Sequence, residues 1–359
     1  MNVLTKILLF PFAFIYGLII GLRNWLYKSN FIGSTDFEIP IISIGNLSMG
    51  GTGKTPMIEL LIELLHGKYK TGVLSRGYKR KTTGYVEVLP YSNANQVGDE
   101  PLMIKLKYPA ANVAVGEQRV IAIPHLLATH PDTQVILLDD AFQHQSVRPD
   151  VNILLTTYNK PFYEDVILPI GTLREFASSK NRANIIVVTK CPADISQKEQ
   201  QEIKAKIKAT KQQRVFFSTV EYGIPYNILQ PTDRLFLNKK DTQLLLTGIA
   251  NAAPLNDFLL KGSKEIIHYK YNDHHYFTLY ELENMMKNYP NIQHWITTEK
   301  DAVRLALHKD WFIQHNITLY GVPIKTKIIG EEASDFSKSI LGFLDYFYKE
   351  ENIASTDLI

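Results

Sequence analysis

A glycine-rich stretch ending in lysine and threonine, SMGGTGKT at residues 48–55, is the part of the sequence with the clearest chemistry. Glycines in such a stretch let backbone N–H groups face phosphate oxygens, and the N-terminus of a following helix favours negative charge. Lys54 would reach the β- and γ-phosphates as a catalytic group, and the hydroxyl of Thr55 would hold Mg²⁺. The pattern predicts a nucleotide site whose phosphate-binding residues are Ser48, Met49, Gly50, Gly51, Thr52, Gly53, Lys54 and Thr55.

Two carboxylates that follow a second apolar run are candidate metal ligands. Residues 133–138 are predicted to form a buried strand, and Asp139 and Asp140 come directly after it. Carboxylates at the carboxyl end of a parallel strand hold Mg²⁺ in P-loop enzymes, directly or through water. Gln143 and His144 follow closely enough to line the same crevice. We therefore expect the two aspartates to complete the metal site.

The elements around the glycine-rich stretch are those that a phosphate-binding loop requires. Residues 40–45 form a short β-branched run that ends in glycine, and the residues after the loop have a helical pattern. Strand, glycine-rich turn and helix in this order favour a nucleotide site over a chance match. Ser48 stands where the standard pattern has glycine, and the Gly50–Gly51 pair compensates for it.

Apolar runs alternate with helical stretches over the first half of the chain, which is typical of a doubly wound, mostly parallel α/β sheet. These runs lie at residues 41–44, 72–75, 113–115, 135–138, 151–155 and 185–189. A second strand–helix series begins near residue 244, between two similar segments, EYGIP at 221–225 and LYGVP at 319–323. We expect these segments to form a two-stranded connector to a smaller α/β domain.

The N-terminus is apolar enough to touch a membrane. Residues 7–22 carry no charge, and the run is flanked by the interfacial residue types Lys6, Arg23, Trp25, Tyr27 and Lys28. The run is shorter than the ~20 residues that span a bilayer core, so a shallowly inserted or monotopic helix fits better than a span. The alternative is an unusually apolar core helix. The predicted parts are thus a membrane-associated helix (1–28), a P-loop catalytic domain (29–220), a smaller α/β domain (221–334) and a C-terminal segment (335–359) that packs back on the catalytic domain.

The composition excludes several classes of protein. With 359 residues and 45% hydrophobic content, the chain is long and apolar enough to build real cores, so it is not disordered. The single cysteine, Cys191, excludes a disulfide framework and a cysteine-based metal cluster. A net charge of +3 gives no indication of nucleic-acid binding, and the histidines show no zinc-ligand spacing.

Seven motifs in order resemble those of the tetraacyldisaccharide 4'-kinases, the lipid A 4'-kinases of Gram-negative bacteria. After GNLSMGGTGKTP come SRGY at 75–78, GDEP at 98–101, DDAFQH at 139–144, GTLRE at 171–175, NDHHYF at 272–277 and TTEKDAVRL at 297–305. The resemblance covers the chain from the N-terminal helix to about residue 330. Ala141 departs from the family, which usually has glycine there, and this places the local turn in question.

The resemblance implies an ATP- and Mg²⁺-dependent kinase. Its acceptor would be the 4'-hydroxyl of a tetraacylated glucosamine disaccharide 1-phosphate, a membrane lipid in lipid A biosynthesis. The enzyme would lie on the cytoplasmic face of the inner membrane as a peripheral or monotopic protein, with ATP, the lipid and the membrane surface as partners. Neither nucleic acid nor an obligate protein partner is implied.

The resemblance also assigns roles to residues outside the phosphate-binding loop. The family's catalytic aspartate corresponds to Asp99 and its partner histidine to His274. The smaller domain, which carries His274, would close over the nucleotide. Arg174 and Glu175 match a segment in which a positive charge and a carboxylate approach the nucleotide and the metal. Further candidates for phosphate contacts are Arg76 and Arg119.

A membrane-tethered P-loop NTPase switch is the alternative from another functional class. Its output would be a conformational change, and it would need a residue to position water but no site for a lipid acceptor. Residues 187–190 superficially resemble the guanine-reading element of such proteins, but Pro192 stands where that element has aspartate.

Overall fold

The short apolar runs of the sequence form the strands of two β-sheets. The computed structural model describes residues 3–356, so residues 1–2 and 357–359, the outer ends of the predicted terminal segments, lie outside the described residues. The strands are β1 (Ile41–Asn46), β2 (Thr71–Ser75), β3 (Val86–Glu87), β4 (Asn112–Val115), β5 (Val135–Asp139), β6 (Val151–Thr157), β7 (Ile185–Thr189), β8 (Arg214–Tyr222), β9 (Tyr226–Asn227), β10 (Thr242–Thr247), β11 (Glu265–Lys270), β12 (His294–Thr298), β13 (Thr318–Val322) and β14 (Ile324–Ile328).

Eleven α-helices connect and cover these strands in the described part of the chain. They are α1 (Val3–Lys28), α2 (Lys54–Leu65), α3 (Ala94–Val97), α4 (Asp99–Lys107), α5 (Arg119–Thr129), α6 (Gln197–Ile207), α7 (Ala253–Gly262), α8 (Leu279–Asn288), α9 (Glu299–Leu305), α10 (Lys309–Gln314) and α11 (Glu332–Thr356). Short 3₁₀ turns lie at Phe162–Glu164, Ala177–Arg182 and Ala306–His308.

The larger sheet has nine strands in the order β14-β8-β7-β6-β1-β5-β2-β4-β3. Its inner strands are all parallel, and only the edge strands β3 and β14 pair antiparallel. Successive side chains of a strand point to opposite faces, and accordingly Ile42 and Ile44 join one apolar cluster while Ile41 joins another. Apolar side chains of α2, α4 and α11 cover the first face, and those of α5 and α6 the second. The predicted doubly wound α/β fold is confirmed.

The smaller sheet has five strands in the order β11-β10-β12-β13-β9. Its core contains the fully buried Trp295, which packs against Trp311 and Phe312. β8 and β14, one leading out of the larger sheet and one leading back, pair antiparallel from Tyr222↔Ile324 to Ser218↔Ile328. This pair is the two-stranded connector that the similar flanking segments predict.

Helix α1 is apolar and mostly exposed to solvent. It is long and apolar enough to cross a membrane by length and composition alone, but only 11% of its most apolar window is buried. Large side chains along it, such as Phe12, Ile15 and Ile19, are 55–64% exposed. A core helix would bury these side chains, so the alternative of an apolar core helix is wrong.

A buried cluster of charges joins three helices that lead into the candidate site. Lys107 Nζ on α4 lies 2.8 Å from Glu59 Oε2 on α2 and 2.9 Å from Glu299 Oε2 on α9. The Tyr226 hydroxyl donates to Glu299 Oε1 at 3.1 Å. Burial raises the pKa of Glu59 to about 7; Lys107 opposes this shift and Glu299 adds to it. One ammonium group thus fixes the relative positions of α2, α4 and α9.

The raised pKa of Glu59 predicts a pH dependence of stability. Because Glu59 holds its proton more tightly in the folded state, the free energy of unfolding falls as pH rises from about 4.5 to 7. Glu59→Gln removes this contribution, ~3 kcal/mol at most, so its denaturation midpoint changes less than that of the wild type between pH 5 and 8. Urea denaturation at both pH values measures the difference. Glu202→Gln, an exposed change on α6, is the control; equal pH slopes in wild type and Glu59→Gln would contradict the prediction.

Candidate active site

The glycine-rich stretch forms a tight loop between β1 and α2. Gly50 and Gly53 have φ angles of 111° and 88°, which L side chains rarely adopt, so these two positions require glycine. Ser48 and Thr52 are both buried, with 7% and 5% of their surface exposed. Since α2 begins at Lys54, its N-terminal N–H groups point toward the loop, an arrangement that suits an anionic ligand.

Neighbouring segments hold this loop in position through its backbone. Met49 N donates to Thr172 O at 2.8 Å, Gly51 O accepts from Lys190 Nζ at 2.6 Å, and Thr52 O accepts from Thr189 Oγ1 at 2.7 Å. The role of Lys190 was not predictable from its neighbours in sequence, because its ammonium group reaches the loop only where β7 ends beside it. The loop is therefore rigid on the side away from its open N–H groups.

Asp140 lies between two cations at the open side of the loop. Lys54 Nζ is 3.6 Å from Asp140 Oδ1, and Arg174 Nη1 is 3.2 Å from each carboxylate oxygen. Burial would raise the pKa of Asp140, but Lys54 and Arg174 outweigh it and hold that pKa below its usual range. Asp140 is thus ionised at neutral pH, and the structure brings together three residues that the sequence placed in the site.

The alanine in the DDAFQH motif does not disturb the turn. The positive φ of this turn, 46°, falls on Asp140, and Ala141 has none. Aspartate tolerates the left-handed region better than most residues. The question raised by the missing glycine at position 141 is thereby resolved.

Asp139 is a buried carboxylate with one unused oxygen. Its Oδ2 accepts from Ser75 Oγ at 2.9 Å, and its Oδ1 is buried without a hydrogen-bond partner among the described residues. Burial, with the charges of Glu100 and Asp140, raises the pKa of Asp139 to about 6. Arg119, 1% exposed, donates to the backbone oxygen of Asp139 at 3.0 Å. Arg119 thus supports the backbone at the end of β5.

Glu100 also belongs to the candidate site, although its role was not predicted from the sequence. Its Oε2 accepts from the Thr55 hydroxyl at 3.0 Å, and its Oε1 lies 3.0 Å from Lys300 Nζ. Glu100 follows Asp99 in the GDEP motif, so the motif contained a hint of its role. Only the fold shows that α4 directs the Glu100 side chain toward Thr55. Glu100 therefore joins the nucleotide loop to the second part of the site.

That second part is built around the Asp99 carboxylate at the start of α4. Asp99 is 6% exposed, and its Oδ2 lies 3.1 Å from His274 Nδ1 and also accepts from the Arg304 guanidinium. Lys300 Nζ is 3.1 Å from His274 Nε2. Because an ammonium group can only donate, His274 accepts at Nε2 and donates its Nδ1–H to Asp99. The structure thus brings together Asp99 and His274, which the sequence separates by 175 positions.

Lys300 and Arg304 complete this part of the site, and sequence reasoning missed both. They lie four residues apart on α9, within the TTEKDAVRL motif, so they share one helix face. Burial would raise the pKa of Asp99, but the hydrogen bond from His274 and the charge of Arg304 hold it below its usual range. His274 has a φ of 63°, a strained backbone conformation of the kind that clusters at functional sites.

Three other residues, Gln143, His144 and Arg76, were candidates from the sequence. Gln143 Nε2 donates to Asn46 O at 2.9 Å. Burial, with the charges of Arg119 and Arg76, lowers the pKa of His144 to about 4, so this imidazole is neutral at pH 7. Arg76 is exposed, and it is the candidate arginine that remains available for an anionic ligand.

Glu175 is the one predicted metal ligand that the structure does not bring into the site. Its side chain is fully buried, with Oε1 3.0 Å from Arg23 and Oε2 2.9 Å from both Asn24 and Arg182. Both oxygens are thus occupied by positively charged or amide donors, two of them on α1. The expectation of metal binding at Glu175 finds no support in this arrangement, because its carboxylate is turned toward α1.

Comparisons with known proteins agree with one another along most of the chain. A family model described as tetraacyldisaccharide-1-P 4'-kinase (LpxK) matches residues 5–344. The tetraacyldisaccharide 4'-kinase of Flavobacterium johnsoniae is 44% identical over 344 residues, covering 96% of this chain and 98% of that protein. That of Bacteroides thetaiotaomicron is 38% identical over 360 residues, with coverages of 94% and 92%. A crystal structure of LpxK from Aquifex aeolicus in complex with ATP has a TM-score of 0.71 at 26% identity, covering 95% of this chain and 99% of that chain.

Proposed function

Because the chain belongs to the tetraacyldisaccharide-1-P 4'-kinase family, we infer that it transfers the γ-phosphoryl group of ATP to the 4'-hydroxyl of a tetraacylated glucosamine disaccharide 1-phosphate. It is a kinase of lipid A biosynthesis, and its family favours this function over that of a membrane-tethered NTPase switch. The observation that carries the function is the joining of two half-sites: Glu100 contacts both Thr55 of the nucleotide loop and Lys300 beside His274. An NTPase switch would not need the second half-site.

In the nucleotide half-site, backbone groups and two cations would hold the phosphates. The N–H groups of residues 48–55 surround the position of the β-phosphate in P-loop proteins. Lys54 and Arg174, which now pair with Asp140, supply positive charge where the transferring phosphoryl group develops negative charge. Arg76 is a further candidate for a contact with an anionic group of either substrate.

The residues around Asp139 fit a magnesium ion. Its buried, unpartnered Oδ1, the ionised Asp140 and the Thr55 hydroxyl are oxygen donors of the type that Mg²⁺ prefers. Among the described residues, no group of three or more His, Cys, Asp or Glu side chains forms a metal cage. Mg²⁺ usually binds ATP enzymes through one or two carboxylates and the substrate phosphates, which suits this donor set. When bound, the ion would neutralise charge on the β- and γ-phosphates.

In the acceptor half-site, we assign Asp99 as the proton acceptor. Both of its hydrogen bonds end on Oδ2, and Oδ1 accepts none from the described residues. A sugar hydroxyl does not ionise at neutral pH, so a carboxylate within hydrogen-bond reach is needed to accept its proton during transfer. His274 orients Asp99 from the smaller α/β unit (221–334), which ties proton transfer to closure of that unit over the nucleotide.

The exposed side of α1 supports membrane association on the cytoplasmic face of the inner membrane. Its apolar side chains are unpaired with any core, and Trp25, near the C-terminal end of the helix, is 60% exposed. A lipid with four acyl chains stays in the bilayer, so the kinase must work at the membrane surface. We propose a monotopic helix that inserts this exposed side.

Polar substitution of the exposed side of α1 tests this placement. Phe12, Ile15 and Ile19 lie on one stripe of the helix, and changing all three to glutamine removes several kcal/mol of apolar insertion. We expect the triple variant to leave the membrane fraction in flotation assays and its KM for acceptor in vesicles to rise at least about tenfold. Tyr91→Ser, an exposed change far from α1 in sequence, is the control; a triple variant that stays membrane-bound would contradict the assignment.

The transfer itself is tested with γ-labelled ATP and two acceptors. Label should enter the organic phase with the tetraacylated disaccharide 1-phosphate, and none should enter with an acceptor whose 4'-hydroxyl is blocked. Release of free phosphate alone would identify an NTPase switch. Labelling of the blocked acceptor would refute the 4' position.

A further inference from the structure

Helix α1 docks one of its sides on three consecutive residues of the catalytic core. The Tyr16 hydroxyl donates to Arg174 O at 3.0 Å, and Arg23 and Asn24 contact Glu175. The ring of Phe176 lies so close to Gly17 that a Cβ there would be 2.9 Å from it. The helix therefore has an exposed apolar side and a second side that is fitted to residues 174–176.

Glu175 is the centre of this contact. Its carboxylate is completely buried, and each oxygen accepts from an arginine: Oε1 from Arg23 and Oε2 from Arg182. A buried carboxylate is stable only when such partners satisfy it, so separating α1 from the core would leave Glu175 short of two donors. Gln145 Nε2 also donates to Asn24 Oδ1 at 2.7 Å, which extends the contact to the segment after Asp140.

The same backbone segment carries the cation that holds Asp140. Arg174 N donates to Leu47 O at 2.7 Å, and the Arg174 guanidinium lies 3.2 Å from Asp140. Arg174 is thus fixed on one side by the strand that leads into the nucleotide loop, and on the other by α1 through Tyr16 and Glu175. A shift of α1 would therefore move the backbone of Arg174 and, with it, the guanidinium group that contacts Asp140.

We propose that Glu175 is a positioning residue that couples α1 to the phosphoryl-transfer site. By locking α1 against residues 174–176, it holds the Arg174 guanidinium on Asp140, so a docked α1 is required for full turnover as well as for membrane contact. The proposal rests on the kinase function argued above. It also replaces metal binding as the reason for a carboxylate at position 175.

The test measures kcat with an acceptor dispersed in detergent, where membrane binding is not needed. Glu175→Gln keeps the shape of the side chain, and Arg23→Gln removes the charge of its partner on α1 but keeps an amide donor. A melting curve of each variant checks that it folds. Each variant should lose about 10- to 100-fold in kcat, because a small displacement of a catalytic group has that cost. The double variant should be no slower than the slower single variant, since both remove one link. Arg23→Lys should restore part of the loss.

A second measurement separates positioning from metal binding. Calorimetric titration of Mg²⁺ with a non-hydrolysable ATP analogue should give the same half-saturating Mg²⁺ concentration in wild type, Glu175→Gln and Arg23→Gln. Amide exchange of the Arg174 N–H should be faster in both variants. A weakened Mg²⁺ affinity confined to Glu175→Gln would make it a metal ligand and overturn the proposal.

Different results would refute the coupling and the kinase function on which it rests. Arg148→Gln breaks an exposed ion pair with Asp36 and should leave kcat unchanged. Wild-type kcat in Arg23→Gln would refute the coupling while the kinase function stands. Absence of lipid phosphorylation by the wild-type protein would refute the kinase function instead.

Discussion

Replacing Asp99 by asparagine is expected to lower kcat by about 10²–10⁴-fold while the KM for ATP changes little, because positioned proton acceptance contributes that much to a transfer rate. Asparagine keeps the shape and a hydrogen-bond acceptor but does not take up a proton. The Arg304 guanidinium keeps its contact with Asp301, so it is not left as an unpaired buried charge. Steady-state kinetics with varied ATP and varied acceptor, together with a melting curve, separate lost chemistry from lost folding.

His274 provides the internal check on this prediction. If Asp99 and His274 act as one unit, Asp99→Asn/His274→Ala should be scarcely slower than the slower single variant. Losses that multiply would show independent roles and would remove the dyad from the mechanism. Asp310→Asn is the control, since Asp310 is an exposed carboxylate on α10 of the same smaller unit; its kcat should stay near the wild-type value.

Lys54→Ala is expected to reduce turnover on the order of 10³-fold or more without unfolding the protein. Lys54 Nζ lies at the mouth of the loop, 3.6 Å from Asp140, where it stabilises phosphoryl charge that develops in the transition state. Asp140 keeps Arg174 as its partner in this variant, so the loss of Lys54 should change the melting temperature little. Transfer assays at saturating ATP measure the effect.

The control for Lys54 is Lys68→Ala, which removes an exposed lysine just beyond the same helix. It should transfer phosphate at the wild-type rate. Near-normal kcat in Lys54→Ala would place the nucleotide site elsewhere in the chain.

The larger sheet could be predicted from the sequence because its strands are buried on both faces. A strand such as β7 (Ile185–Thr189) is then a continuous run of β-branched and apolar residues, visible without any partner. The connector was also predictable, since β8 and β14 lie beside two similar segments. The length and docking of α1 were not predictable. Its apolar composition indicates that the helix avoids water, but only the fold shows that Tyr16 and Arg23 reach residues 174 and 175.

The candidate site also has one part that was predictable from the sequence and one part that was not. The phosphate-binding loop is local, so its glycines, Lys54 and Thr55 could be assigned from neighbours in sequence. The acceptor half-site is made by contact between α4 and α9. Lys300 and Arg304 lie in the TTEKDAVRL motif, but only that contact shows that they reach His274 and Asp99. The docking of Glu175 on α1 was not predictable for the same reason, because the partner that contacts its carboxylate lies 152 positions away at Arg23.

The kinase assignment is tested most directly by following ATP consumption and lipid phosphorylation in one reaction. With the tetraacylated disaccharide 1-phosphate present, we predict one phosphorylated lipid for each ATP consumed, and negligible ATP consumption when the acceptor is omitted. In Asp99→Asn both rates should fall together. ATP consumption that continues at the same rate without acceptor, with all of the phosphate released to water, would contradict the transfer of phosphoryl groups to a lipid.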